Sequence, residues 1–274
     1  MATPGEDWLI IHADGLGKAL APTAPSIPMA GGRDAGVLGQ VAMRVLMAFR
    51  EMDHQPSHLV VVRRDGIDSE RLAVDERFGR LPSADPESYA RSKDLVDALW
   101  FSMGGFVLEE PDIRAGDLAT GLSGGKRSVT LLSKDRSTHV LRARGVRILD
   151  PMRPGAMTIE REDPIRNHAL LCLIGYPALG VSGVSGVGEK RARQLLDDMG
   201  GLDAIESHWR SIGSPKADEL RRVRYLLGPR SIPVPSDLPE TARWTPTALL
   251  AASSLLAEHG LKGLAGGMER LARS

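Results

Sequence analysis

Residues 181–193, VSGVSGVGEKRAR, combine glycines and basic side chains in a pattern that could grip phosphate. Glycine at 183, 186 and 188 lets the backbone turn tightly and approach a ligand closely. Amides at the start of the helix that follows point outward and favour an anion. Lys190, Arg191 and Arg193 add positive charge at the same point. Two helices joined by such a turn make a helix-hairpin-helix, which would hold DNA phosphates without reading sequence and with strong salt dependence. The same residues also fit a plain glycine turn that packs two helices, followed by solvated basic side chains. A second gathering point lies upstream. His12 to Gly15, Arg64 to Gly66, the stretch after Leu108, and Ser133 to Ser137 each follow a short apolar run.

Those runs set the architecture. WLII at 8–11, SHLVVV from 57, FVL from 106, SVTLL from 128 and GVRIL from 145 read as buried strands. Helix-length segments separate them, among them VLGQVAMRVLMAFREM and SKDLVDALWFSMGG. The alternation predicts an α/β unit with a parallel sheet over residues 1–164, with its working residues at the carboxyl ends of the strands. From residue 165 to 274 the segments are helical, with a Pro-rich linker, SIPVPSDLPE, before a last amphipathic helix, TALLAASSLLAEHG. Residues 68–91 are polar without a clean period and read as an exposed segment or small helices.

Lys plus Arg and Asp plus Glu each total 35, so the net charge is +0 and any nucleic-acid contact must come from a local patch. Cys172 is the only cysteine, which excludes an internal disulfide and suits a core position in ALLCLIG. No apolar run approaches the ~18 residues of a membrane span, and MATPGEDWLII does not read as a signal peptide, so a cytoplasmic protein is expected.

In LIIHADGL, VVVRRDG, DIRAGDLAT, SKDRSTHVLRARGVRILDP and LIGYPALGVSGVSGVGEKRARQLLDDMGGLDAI, taken in order over residues 8–205, the chain resembles the 5′-nucleases. These are the flap endonucleases and the 5′–3′ exonuclease domains of bacterial DNA polymerases. The resemblance implies a PIN-like parallel-sheet domain followed by an all-helical helix-hairpin-helix domain. It also implies carboxylates at the strand ends that hold two divalent metals, Mg²⁺ or Mn²⁺, about 4 Å apart. Of nine family acid positions, Asp65, Asp117 and Asp135 keep the acid, while His12, Arg114, Gly116, Ser137, Tyr176 and Leu179 replace it. Asp14, Glu110 and Asp112 stand nearby in sequence as substitutes. Arg114 matters most: a guanidinium about 5 Å from a divalent ion, at an effective dielectric near 20, costs on the order of 7 kcal/mol. It is expected to neutralise the remaining acids as a buried ion network, with His12 a hydrogen-bonded core residue. Arg77 and Arg80, in ERFGR, match the family's basic phosphate-contacting segment. The hairpin could hold K⁺ on its backbone carbonyls.

The function expected on these grounds is a non-catalytic DNA-binding protein on a 5′-nuclease fold, holding flap, branched or duplex DNA, with replication or repair proteins as further partners. Two alternatives stay open: an active nuclease with a reduced one-metal site, and a protein-interaction module that binds no DNA.

Overall fold

The computed structural model describes residues 6–52, 54–63, 68–79, 86–110, 112–124, 127–153 and 163–274, with only the backbone of Asp14 and Pro86. Strands β1 (Asp7–His12), β2 (His58–Val62), β3 (Phe106–Leu108), β4 (Ser128–Leu132) and β5 (Arg147–Leu149) form one parallel sheet in the order β3-β2-β1-β4-β5. Nearly every residue of β1, β2 and β4 is buried, as a sheet covered on both faces requires.

Alternation along the strands divides the core. Leu9, Ile11, Leu59 and Val61 point to one side, where α1 (Ala13–Leu20), α2 (Gly36–Glu51) and α4 (Pro86–Ser102) cover them. Trp8, Ile10, Val60 and Val62 face the other side and α5 (Ala115–Leu122), together with a 3-10 run at 136–144. A short helix, α3 (Ser69–Val74), precedes α4.

The second half has a core of its own, built from α6 (Pro164–Ile174), α7 (Glu189–Met199), α8 (Leu202–Ser211) and α9 (Lys216–Leu227). The paired two-residue strands β6 (Gly175–Tyr176) and β7 (Val181–Ser182) sit between α6 and α7. After α10 (Leu238–Thr241) the chain returns to the sheet. There α11 (Leu249–Glu258) and α12 (Lys262–Ala272) join the core of α2 and α4.

Two sequence expectations need correction. The expected last helix, α11, is followed by a further one. α12 carries Gly263, Gly266 and Gly267, which weaken a helical reading. Yet at Gly267 a Cβ would stand 3.0 Å from Leu46 Cδ1, so glycine lets α12 close onto α2. Residues 68–91 hold a small helix, α3, as one of the two readings expects, but they are not simply exposed: Arg71 is 0% exposed and Phe78 2%. Phe78 belongs to the core of the second half, and Gly79 N–H donates to the Leu179 carbonyl at 2.9 Å. Residues 80–85 lie outside the described residues.

Candidate functional site

His12 ends β1 and is buried, its Nδ1 3.1 Å from Ser133 Oγ at the end of β4. The ring lies so close to Gly15 that a Cβ there would approach Nε2 to 2.6 Å. On the β4 side Asp135 caps the 3-10 run, accepting from Ser137 N–H at 2.9 Å and from Ser137 Oγ–H at 2.7 Å. Its other oxygen accepts from Arg114 Nη2 at 2.7 Å. Arg114 itself is 8% exposed and occupies the N-cap position of α5.

Asp117, one turn into α5, is held differently. Arg71 Nη1 donates to it at 2.8 Å and to Asp68 at 2.7 Å, while Arg71 Nη2 donates to the Gly228 carbonyl at 2.6 Å. The backbone N–H of Arg230 adds a bond to Asp117 at 2.6 Å, and the Arg230 guanidinium pairs with Asp68 and Glu70. Both Arg71 and Arg114 rest against the Phe78 ring, at 5.7 and 5.2 Å from its centroid. A buried carboxylate met by a guanidinium and by N–H donors is a satisfied ion pair.

The remaining family positions are occupied by other contacts. At Gly116 a Cβ would stand 2.9 Å from Thr138 Cγ2, so even a small side chain crowds the site. Tyr176 accepts from Arg136 N–H at 3.1 Å, and burial, aided by the charge of Asp135, pushes its phenol up to about 12. Leu179 is partly buried against the core of the second half. Among the suggested substitutes, Asp112 turns to Ser69 N–H and Oγ–H, both at 2.9 Å, and Glu110 is exposed. Asp65 lies outside the described residues. Among the described residues, no three His, Cys, Asp or Glu side chains gather as metal ligands. With Asp117 and Asp135 each closed by a guanidinium, the acids described here do not fit a divalent ion.

Lys134 follows Ser133 and is half-buried. Burial lowers its ammonium below the ordinary value; Asp135 opposes that shift and the charge of Lys18 adds to it.

The glycine turn lies at the far end of α6. Gly183 is irreplaceable on steric grounds, since a Cβ would stand 2.2 Å from the Ile174 carbonyl carbon. Gly186 has φ +70, which favours glycine, and Gly188 caps α7 with open space around it. Lys190 is exposed. Arg191 reaches Gln194 at 2.9 Å and Arg193 reaches Glu189 at 2.6 Å, so both are engaged along their own helix. Arg77, exposed, is bound to Asp75 at 3.1 Å, and Asp75 also takes Arg222 at 2.8 Å. Arg222 further donates to the Ser182 carbonyl at 3.3 Å. Arg80 lies outside the described residues.

Sequence reasoning did not find Arg71, Arg230, Phe78, Glu219 or Lys216. Glu219, on α9, accepts from Ser185 N–H in the turn at 2.6 Å. Lys216 is nearby, with its Nζ 3.8 Å from where a Cβ on Gly186 would stand. The first three sit in polar or linker stretches whose burial no local pattern signals. The last two come within reach only because α9 packs back on the turn.

No family model matches the chain. A 5′-3′ exonuclease of Streptomyces coelicolor is 28% identical over 272 residues, covering 84% of this chain and 88% of the relative. A flap endonuclease Xni of Pectobacterium carotovorum subsp. carotovorum is 30% identical over 167 residues, 55% of this chain and 63% of the relative. Among solved structures, a bacteriophage T5 flap endonuclease, a pseudo-enzyme–product complex with DNA and metal ions, has the same fold. It matches at TM-score 0.58 and 14% identity, over 98% of this chain and 100% of that one.

Proposed function

We propose that this chain, a member of the 5′-nuclease family, is a DNA-binding protein whose strand-end pocket has been rebuilt as an ion-pair network. It holds flap, branched or duplex DNA through the glycine turn, without reading base sequence. One observation carries the reading: Asp117 and Asp135, two of the acids the family would use for metal, are each bound by a guanidinium of the same chain, at 2.8 and 2.7 Å. A divalent ion would have to displace Arg71 and Arg114 from pairs that are almost fully buried, leaving two guanidiniums uncompensated beside it.

The gripping elements remain available. Gly186 and Gly188 of the turn and Lys190 are exposed, and Lys216 stands beside the turn. Backbone amides and mobile ammonium groups suit phosphate contact independent of sequence. The similar T5 structure contains DNA, in keeping with a DNA-holding surface on this fold.

The test is binding of labelled flap and duplex DNA over a range of salt, followed by incubation with Mg²⁺ or Mn²⁺. Salt-sensitive binding with intact substrate is expected. Cleavage that disappears in Asp117→Ala or Asp135→Ala would establish an active nuclease instead. A protein that shifts neither DNA at low salt would leave the interaction-module reading in its place.

A further inference from the structure

We infer that Glu219 is a guard on the glycine turn: its carboxylate fills the seat that a phosphate oxygen would take, so that the turn admits a polyanionic strand and excludes free phosphate. This rests on the reading of the turn as a DNA-holding element and deepens it by naming what sets its selectivity.

Packing builds the seat. Lys216, Glu219 and Arg222 stand at three-residue intervals on α9 and therefore lie along one side of the helix. That side runs against the turn. Arg222 donates to the Ser182 carbonyl at 3.3 Å, and Glu219 accepts from the Ser185 N–H at 2.6 Å. Lys216 Nζ lies 3.8 Å from where a Cβ on Gly186 would stand. Neighbouring amides are spent close by: Val184 N–H donates to the Leu173 carbonyl at 2.9 Å, and Val187 N–H to the Val184 carbonyl at 3.1 Å. Ser185 N–H has no backbone acceptor among the described residues, and Glu219 supplies the one it has.

Charge separates this contact from the others on α9. Asp218 pairs with Arg221 at 3.0 Å and Arg222 with Asp75 at 2.8 Å, while Lys216 rests 6.0 Å from the centre of the Trp209 ring. Glu219 pairs with no cation among the described residues. A half-buried carboxylate held by one amide is an internal anion on a single charge-assisted bond. A phosphate oxygen offers the same acceptor chemistry. One free phosphate gains a single amide and meets the repulsion of the carboxylate it displaces. A strand brings further phosphates to Lys190 and Lys216, and those linked contacts supply the energy that swings Glu219 aside.

Anisotropy of a labelled duplex and amide NMR, both at constant ionic strength, test the guard. Glu219→Ala should bind the duplex about fivefold more tightly than the unaltered protein. Glu219→Gln, which keeps an acceptor without the charge, should gain less. Asp218→Ala removes the same charge one residue away and should change affinity by less than about twofold. Inorganic phosphate should move the Ser185 amide resonance in Glu219→Ala and leave it in place in the unaltered protein. No gain from Glu219→Ala, an equal gain from Asp218→Ala, or an equal phosphate response in both proteins would each overturn the inference and leave the proposed DNA binding standing. If none of the proteins binds the duplex, the proposed function fails and the resonance alone decides. A phosphate shift confined to Glu219→Ala keeps the guard, and its absence overturns it.

Discussion

The strand-end pocket and the glycine turn both bring arginines and carboxylates together, at opposite levels of burial. In the pocket, the side chains of Arg71, Asp68 and Asp117 are at most 2% exposed, and those of Arg114 and Asp135 are 10% and 5% exposed. At the turn, the Arg193–Glu189 pair is 56% and 61% exposed. Removing one partner from a buried pair strands a charge in low dielectric; removing one from an exposed pair changes little. The pocket's ion pairs are therefore costly to open, whereas those at the turn can be exchanged for another partner at little cost.

Substitutions should separate the two regions. The largest effect is expected for Arg71→Met, which leaves Asp68 and Asp117 without their buried cation. Denaturant unfolding should show a loss of about 3–5 kcal/mol. A loss below 1 kcal/mol would mean that the acids were not relying on it.

Next comes acid sensitivity of the second half's core. Burial, reinforced by Arg224, lowers His168 from 6.5 to about 4. The unfolded chain therefore takes up the proton first as pH falls. The contribution is fully present above about pH 6.5 and is lost progressively toward about pH 4, amounting to about 3 kcal/mol. His168→Gln should flatten that part of the stability–pH curve. Neighbouring Cys172, its thiol pushed up to about 12 by burial, should resist alkylation at pH 8 until the protein unfolds.

Smaller effects are expected at the turn, where contacts are exposed. Lys190→Ala and Lys216→Ala should each weaken DNA binding evenly across sequences and reduce the salt slope by about one. Glu219→Ala should do the opposite, because it frees the Ser185 amide from a carboxylate in the position a phosphate oxygen would take; anisotropy should read a gain of several-fold, on the order of 1 kcal/mol. The smallest effect is expected for His12→Asp. Restoring this one acid should yield no Mg²⁺-dependent cleavage, since Arg71 and Arg114 still close Asp117 and Asp135; cleavage by this variant would show that the network yields to metal.

Much of this organisation was legible in local sequence. The five strands announce themselves as short apolar runs because a sheet covered on both faces buries every strand residue. The turn was legible because Gly183 and Gly186 meet backbone demands that a side chain cannot meet. The replacement of acids at His12, Arg114 and Gly116 could be read by position, and so could the idea of an arginine among the survivors. The partner of Arg114 could not, nor the larger share of the network that falls to Arg71.

Sequence by itself determined the order of the five sheet strands, the tight turn and the replacement of acids at His12, Arg114 and Gly116, since each is read from neighbours within a few residues. Only the tertiary structure decided which cation meets which carboxylate. Arg71 reaches Asp117 across 46 residues and Arg230 reaches Asp68 across 162. Such pairings depend on which side chains share a dry space once the chain has folded, and electrostatic energy grows steeply there. No local spacing encodes that proximity.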